Sequence, residues 1–166
     1  MIVHYYTELR ILGAAYGRAD VTKRLNSRVT RRQKLRVSAS NRVFGDPWRG
    51  VKKTLVVVYQ HEGYLPRIRI VREHRTLTIG QRLMGRNLRT QPGRNLRIVG
   101  AAYGLVDVTH KVQSLVRNNR LRVAARNNVF GDTWRGVRKS LVVVYRYKNG
   151  AYRTKIVTEG RILHIP

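Results

Sequence analysis

Leu9-Arg-Ile-Leu-Gly-Ala-Ala-Tyr-Gly17 returns as Leu96-Arg-Ile-Val-Gly-Ala-Ala-Tyr-Gly104, and this recurrence decides how the chain is read. Further matches follow in the same order. Asp20-Val-Thr22 returns as Asp107-Val-Thr109, Val43-Phe-Gly-Asp-Pro-Trp-Arg-Gly-Val51 as Val129-Phe-Gly-Asp-Thr-Trp-Arg-Gly-Val137, and Leu55-Val-Val-Val-Tyr59 as Leu141-Val-Val-Val-Tyr145. Residues 9–32 align at an offset of 87 and residues 35–79 at 86, with a gap near Gln33. Of those 69 pairs, 39 are identical (13 in the first block, 26 in the second), which excludes chance and makes the chain a tandem duplication.

Outward from the repeat, the organisation is a leader at 1–7, repeat 1 at 8–79, a linker at 80–94 and repeat 2 at 95–166. The linker is rich in Gly, Pro, Asn and Gln. The leader carries Tyr5 and Tyr6, and is expected to pair as an edge strand or to pack on the other copy.

Within each copy, Leu9 to Ala14 reads as a short strand. Asp20-Val-Thr begins a helical turn with Asp20 as N-cap, because Val21, Leu25 and Val29 recur every four residues. Lys34-Leu-Arg-Val-Ser-Ala alternates basic and apolar, the pattern of a strand with one wet face. Phe44-Gly-Asp-Pro-Trp-Arg-Gly is turn-rich. Lys53 to Gln60 is β-branched on both faces and reads as a central strand. Glu62-Gly63 and Asn149-Gly150 signal hairpins. Arg67-Ile-Arg-Ile alternates, and Thr76-Leu-Thr-Ile closes the unit after a turn at Glu73-His-Arg75. About five strands and one helical turn per copy predict an all-β fold of two tandem pseudo-symmetric β-sandwiches.

The order Ala-Ala-Tyr-Gly, Asp-Val-Thr, Phe-Gly-Asp-Pro-Trp, Lys-x-Leu-x-Val-x-Tyr and a closing Leu-x-Ile-Pro resembles the C-terminal domain of DnaJ-type chaperones of the C11 subfamily, once per copy. The J-domain is missing, so the resemblance implies a fold and carries over neither a chaperone role nor an enzyme activity.

Charge is the second signal. The chain has 35 Lys+Arg against 8 Asp+Glu, a net charge of +27, while apolar residues make up an ordinary 42%. A core can therefore form, and the surface attracts polyanions. Arg outnumbers Lys, 27 to 8. The planar guanidinium engages phosphate bidentately and stacks on bases, which leans toward nucleic acid. There is no cysteine, so disulfides and thiolate catalysis are excluded. The longest apolar stretch, Leu55 to Tyr59, is far too short for a membrane-spanning helix. MIVHYYTELR has no signal-peptide character, and a natural chain of this kind is expected in the cytoplasm.

Six of the eight acids match across the copies: Asp20 with Asp107, Asp46 with Asp132, Glu73 with Glu159. Their expected jobs are structural: a helix N-cap, a turn-closing carboxylate and a hairpin carboxylate. Ordinary solvated acids are nearly absent. Arg75 and Arg161 occupy a turn where Gly or Asn is expected, and Arg49 and Arg135 sit in the Trp-x-Gly turn. A neutral or acidic parent whose exposed positions had been replaced by Arg and Lys would have this pattern. The alternatives are thus an engineered, supercharged chain and a natural cationic one.

The polyanion-binding candidates are Arg36, Arg49, Arg67, Arg69, Arg122, Arg135, Arg153 and Lys155. Phe44, Trp48, Phe130 and Trp134 are either base-stacking platforms or core anchors, and repetition at identical positions favours anchoring. One carboxylate per Asp46 or Asp132 loop is too few for calcium. His4, His61, His74, His110 and His164 lack metal-ligand spacing, and no catalytic constellation or cofactor motif emerges. The expected function is non-enzymatic, phosphate-directed polyanion binding. Two alternatives stand beside it, a carbohydrate- or protein-recognition module and a self-assembling component. Homo-oligomers and oppositely charged proteins are further partners to consider.

Overall fold

The computed structural model describes residues 6–82 and 95–166. In the first repeat β1 spans Leu9–Tyr16, β2 Ala19–Asp20, α1 Thr22–Asn26, β3 Leu35–Ser38, α2 Asn41–Phe44, β4 Thr54–His61, β5 Arg67–Arg72 and β6 Thr76–Ile79. The second copies it: β7 Leu96–Tyr103, β8 Val106–Asp107, α3 Thr109–Ser114, β9 Leu121–Ala124, α4 Asn127–Phe130, β10 Ser140–Tyr147, β11 Arg153–Thr158 and β12 Ile162–Ile165.

Each repeat builds a four-stranded antiparallel sheet, β2-β1-β4-β5 or β8-β7-β10-β11, and a two-stranded ribbon, β3-β6 or β9-β12. The all-β, two-repeat reading is right, with six strands and two short helices per copy where about five and one were expected. The extra strand is the two-residue β2, which pairs with the end of β1 across a turn at Gly17 (φ +60°). The extra helix is a single turn at Asn41–Phe44, inside the stretch read as loop.

Alternation explains the layering. Leu55, Val57 and Tyr59 face the repeat's own ribbon and helix, packing on Leu25, Leu35, Val37, Leu77 and Ile79. Val56 and Val58, on the opposite face of β4, meet the other repeat. There Leu12, Ala15, Val56 and Val58 pack with Ala102, Val142 and Val144, all buried. The molecule is therefore a stack of four layers, ribbon–sheet–sheet–ribbon. Among the described residues the copies share no sheet, and they share the middle core. Burying each such aliphatic side chain contributes about 1.5–3 kcal/mol. A bulge in β1 between Ile11 and Gly13, repeated in β7 opposite Val144–Tyr145, presents Leu12 and Val99 toward this seam. A buried hydrogen bond from Ser140 Oγ to the Gly17 carbonyl (3.0 Å) also crosses it.

Three local expectations change. Asp20 stands one position upstream of the N-cap residue Val21, but still accepts from the Thr22 N–H (2.9 Å) and hydroxyl (2.6 Å). Asp107 does the same with Thr109. The turn before β6 is a corner where the chain leaves the sheet for the ribbon, so it is no hairpin. Its left-handed residues are His74 (φ +68°) and Gly160 (φ +89°), so Arg75 and Arg161 occupy ordinary backbone. Of the leader, Thr7 pairs with the Arg82 carbonyl (2.9 Å). Residues 1–5 and 83–94 of the leader and linker lie outside the described residues.

Candidate polyanion-binding surface

The strand register places the basic candidates. Arg36 lies between buried Leu35 and Val37 on β3, across from Thr78, and is exposed. Arg122 holds the same position on β9, across from His164. Arg67 and Arg69 lie side by side on one face of β5, an edge strand, and are exposed. On β11, Arg153 is exposed, whereas Lys155 is half-buried and donates to the His164 carbonyl. Arg49 and Arg135 cap exposed turns that Gly50 (φ +74°) and Gly136 (φ +71°) make possible. The ribbons form the two outermost layers, so the charge is spread over both ends of the stack and both sheet edges. No single groove gathers all eight residues.

The matched acids have a definite job, centred on a residue that pattern reading passed over. Lys53, the residue entering β4, is buried, with its side chain 3% exposed. Its Nζ lies 3.0 Å from Asp46 Oδ1 and 3.5 Å from Glu73 Oε1, and donates to the Val51 (2.9 Å) and Trp48 (3.3 Å) carbonyls. Glu73 also accepts from the Lys53 backbone N–H (3.1 Å). The second copy repeats the cluster. Lys139 Nζ lies 2.9 Å from Asp132 and 3.4 Å from Glu159, with the Val137 carbonyl at 2.9 Å and that of Trp134 at 3.3 Å. A buried ammonium must be paired and fully hydrogen-bonded to be tolerated, and this one is. Glu73 and Glu159 are thus cluster carboxylates rather than hairpin ones. The Lys53 ammonium beside Asp46 holds its carboxyl below the usual range against some desolvation.

Tyr16 closes the cluster from below. Its hydroxyl shares its hydrogen between Asn41 Oδ1 (2.7 Å) and Glu73 Oε1 (3.0 Å). Tyr103 donates to Asn127 (2.9 Å). Burial first, then the adjacent glutamate, pushes both phenols well above the ordinary tyrosine range. A phenol held neutral in the folded state stabilises fully below the unfolded value of about 10, and that contribution declines as pH rises past it. Alkaline titration followed by tyrosinate absorbance should therefore show two of the nine tyrosines resisting ionisation until the chain unfolds. Smooth ionisation of all of them around pH 10, with the fold intact, would contradict this placement. His61 shifts the opposite way. Burial, aided by Arg82 and Arg67, lowers it against its bond to the Gly80 carbonyl (3.0 Å).

The aromatic candidates divide. Phe44 and Trp48 are buried, Phe44 against Tyr16 at 5.0 Å between ring centres. Phe130 packs on Tyr103 at 5.2 Å and is half-buried, as is Trp134. Each Trp is faced by an arginine of the other repeat, Arg138 at 5.8 Å from the Trp48 centre and Arg72 at 5.6 Å from that of Trp134. Phe44 and Trp48 offer no open ring face.

Two clefts, which the pattern of either copy alone could not reveal, open between the repeats. One of about 850 Å³ lies between the β4–β5 hairpin and β7–α3, with Arg67, Arg69, Arg97 and His110 on its walls. Its pseudo-symmetric counterpart, of about 660 Å³, lies between the β10–β11 hairpin and β1–α1, and holds Arg10 and Arg146. No group of His, Asp or Glu suited to a metal occurs among the described residues. No helix of the described residues is long and apolar enough to cross a membrane. Compared with known protein families, curated proteins and solved structures, the chain matches none.

Proposed function

We propose that this protein is a non-enzymatic cationic scaffold that binds polyanions, nucleic acid foremost, through their phosphates and without reading sequence. One observation carries the proposal. Among the described residues, every salt bridge falls on Lys53 or Lys139, so four of the eight acids are spent on these two buried lysines. The exposed arginines at 36, 49, 67, 69, 122, 135 and 153 thus keep no carboxylate partner within salt-bridge distance, and a phosphate polymer gains by displacing counterions there. The spread of charge over both ends of the stack favours diffuse contact, which carries no base information.

The placement of the acids also supports a supercharged version of a parent β fold, one resembling the DnaJ C11-type domain. All six matched acids are engaged by the fold, and those acids are the ones a replacement of exposed positions would have to spare. Arg75 and Arg161 lend this no weight, because their backbone is ordinary.

Titration against single-stranded DNA, duplex DNA, RNA and heparin at several salt concentrations tests the function. With about six phosphate contacts, affinity for a duplex should fall roughly a thousandfold between about 50 and 200 mM salt, and random and defined sequences should bind alike. Affinity that stays flat over that range would overturn the electrostatic account.

A further inference from the structure

Because the chain is duplicated, its two inter-repeat clefts are internal controls for each other, and they differ. Behind the smaller cleft Asn26, at the end of α1, is fully engaged by Ile11 of the cleft wall: its Oδ1 accepts from Ile11 N–H (3.0 Å) and its Nδ2 donates to the Ile11 carbonyl (2.9 Å). Its counterpart in the larger cleft is Gln113. The Gln113 Oε1 accepts from Ile98 N–H (2.8 Å), which orients the amide, and its Nε2 is buried without a partner. An unmet buried donor costs about 1–3 kcal/mol, so it marks a place where an acceptor belongs.

The cations differ too. The larger cleft draws Arg67 and Arg69 from β5 of one repeat and Arg97 from β7 of the other, with His110 beside them. Asp107 is its one carboxylate, already engaged by Thr109. In the smaller cleft Arg146 lies over the Tyr152 ring, 4.9 Å from its centre. Its Nε is also buried without a partner, and Arg10 is the other cation among the described residues that line this cleft. The larger cleft also has an apolar lip, where Leu65, half-exposed, stands next to Pro66. Its volume is in the range of small-ligand sites.

We propose that the larger cleft binds one organic phosphate of nucleotide size, its phosphate held by Arg67, Arg69 and Arg97 with the Gln113 amide donating, and its ring against Leu65 and Pro66. This goes beyond diffuse polyanion binding, because it is saturable and local. The ligand comes either as a free mononucleotide or as the terminal nucleotide of a 5′-phosphorylated single strand.

The test titrates the full chain with AMP, inorganic phosphate and a 5′-phosphorylated oligonucleotide at about 0.5 M salt, where diffuse attraction is screened. One AMP per chain is expected, with inorganic phosphate weaker. Gln113→Glu keeps the acceptor for Ile98 but replaces the donor with a carboxylate oxygen. It and Arg97→Ala should each weaken AMP about tenfold or more, while Arg10→Ala, in the other cleft, leaves it unchanged. Retention of the oligonucleotide without AMP would assign the site to strand ends. No binding of either, two equivalent sites, or equal sensitivity to Arg10→Ala overturns the proposal. A parallel low-salt titration with a random oligonucleotide separates the readings, because binding there with none in the cleft leaves the polyanion scaffold standing.

Discussion

Lys53→Met should destabilise the protein by about 3–5 kcal/mol, lowering the thermal midpoint by roughly 10 °C, although it removes one charge from a chain at +27. The sign is what makes this informative. Net self-repulsion at such a charge favours the loss of any exposed cation. Lys52→Met, one residue earlier and exposed, should accordingly be neutral or slightly stabilising. Lys53→Met instead leaves the largely buried Glu73 carboxylate, the partly exposed Asp46 carboxylate and the Val51 and Trp48 carbonyls facing an apolar side chain. Lys139→Met should cost less, because its carboxylates are better hydrated. Asp132 and Glu159 are 41% and 25% exposed, against 35% and 11% for Asp46 and Glu73. Urea denaturation of the three variants at neutral pH measures the order directly. A Lys53→Met midpoint within about 1 kcal/mol of the parent would mean the ammonium cluster is not structural.

The cluster bears on function through the charge it uses up. A chain with few acids could have placed them as surface partners for its arginines, where exposed pairs contribute little. Here four of the eight acids fall instead at the two points where a buried ammonium needs them. The surface is left cationic as a consequence.

Much of this fold is readable in the residues, and what is not has a physical reason. The alternation in Lys34-Leu-Arg-Val-Ser-Ala gives β3 and its wet face directly, and Arg36 falls where that pattern puts it. The run Leu55 to Tyr59 is apolar on both faces, so β4 must be covered twice. Nothing in the run says that the second cover is the other copy, because burial in a partner repeat and burial in one's own core leave the same signature. Lys53 was within reach of pattern reading. It is in phase with Leu55 and Val57, which face the repeat's core, and it matches Lys139 where the neighbouring pair, Lys52 and Arg138, does not. The clefts are not within reach of such a reading, since Arg67 and Arg97 come to line one cleft only through the stacking of the two sheets. The left-handed position of the sheet-to-ribbon corner lies one residue before Arg75 and Arg161, and it is hard to read because His74 fills it in one copy and the more telling Gly160 only in the other.

The stacking itself yields the second large expected effect, at a pair of glycines that the repeat displays without explaining. A Cβ on Gly100 would lie 2.5 Å from Val58 Cγ2 and 3.0 Å from its Cγ1. A Cβ on Gly13 would lie 2.4 Å from Val144 Cγ2 and 2.5 Å from Thr154 Oγ1. These are the same contact seen twice, since Val58 and Val144 are counterparts, and both fall on the seam between the repeats. Close approach of two sheets at these points requires the absence of a side chain. Gly13→Ala and Gly100→Ala should therefore each cost about 1–3 kcal/mol by overpacking, with Gly13 the worse because Thr154 blocks a second direction. The decisive measurement is a double-mutant cycle at Gly100, where all three of the nearest atoms belong to Val58. Val58→Ala alone opens a cavity, and Gly100→Ala alone clashes. Together the added methyl occupies the space the valine gave up. The two costs should then fall short of adding by about 1 kcal/mol or more, within the range found for residues in contact. Strict additivity would mean that Gly100 and Val58 do not meet. The sheet-on-sheet stack, and the clefts that depend on it, would then have to be abandoned, while each repeat's own sandwich could stand.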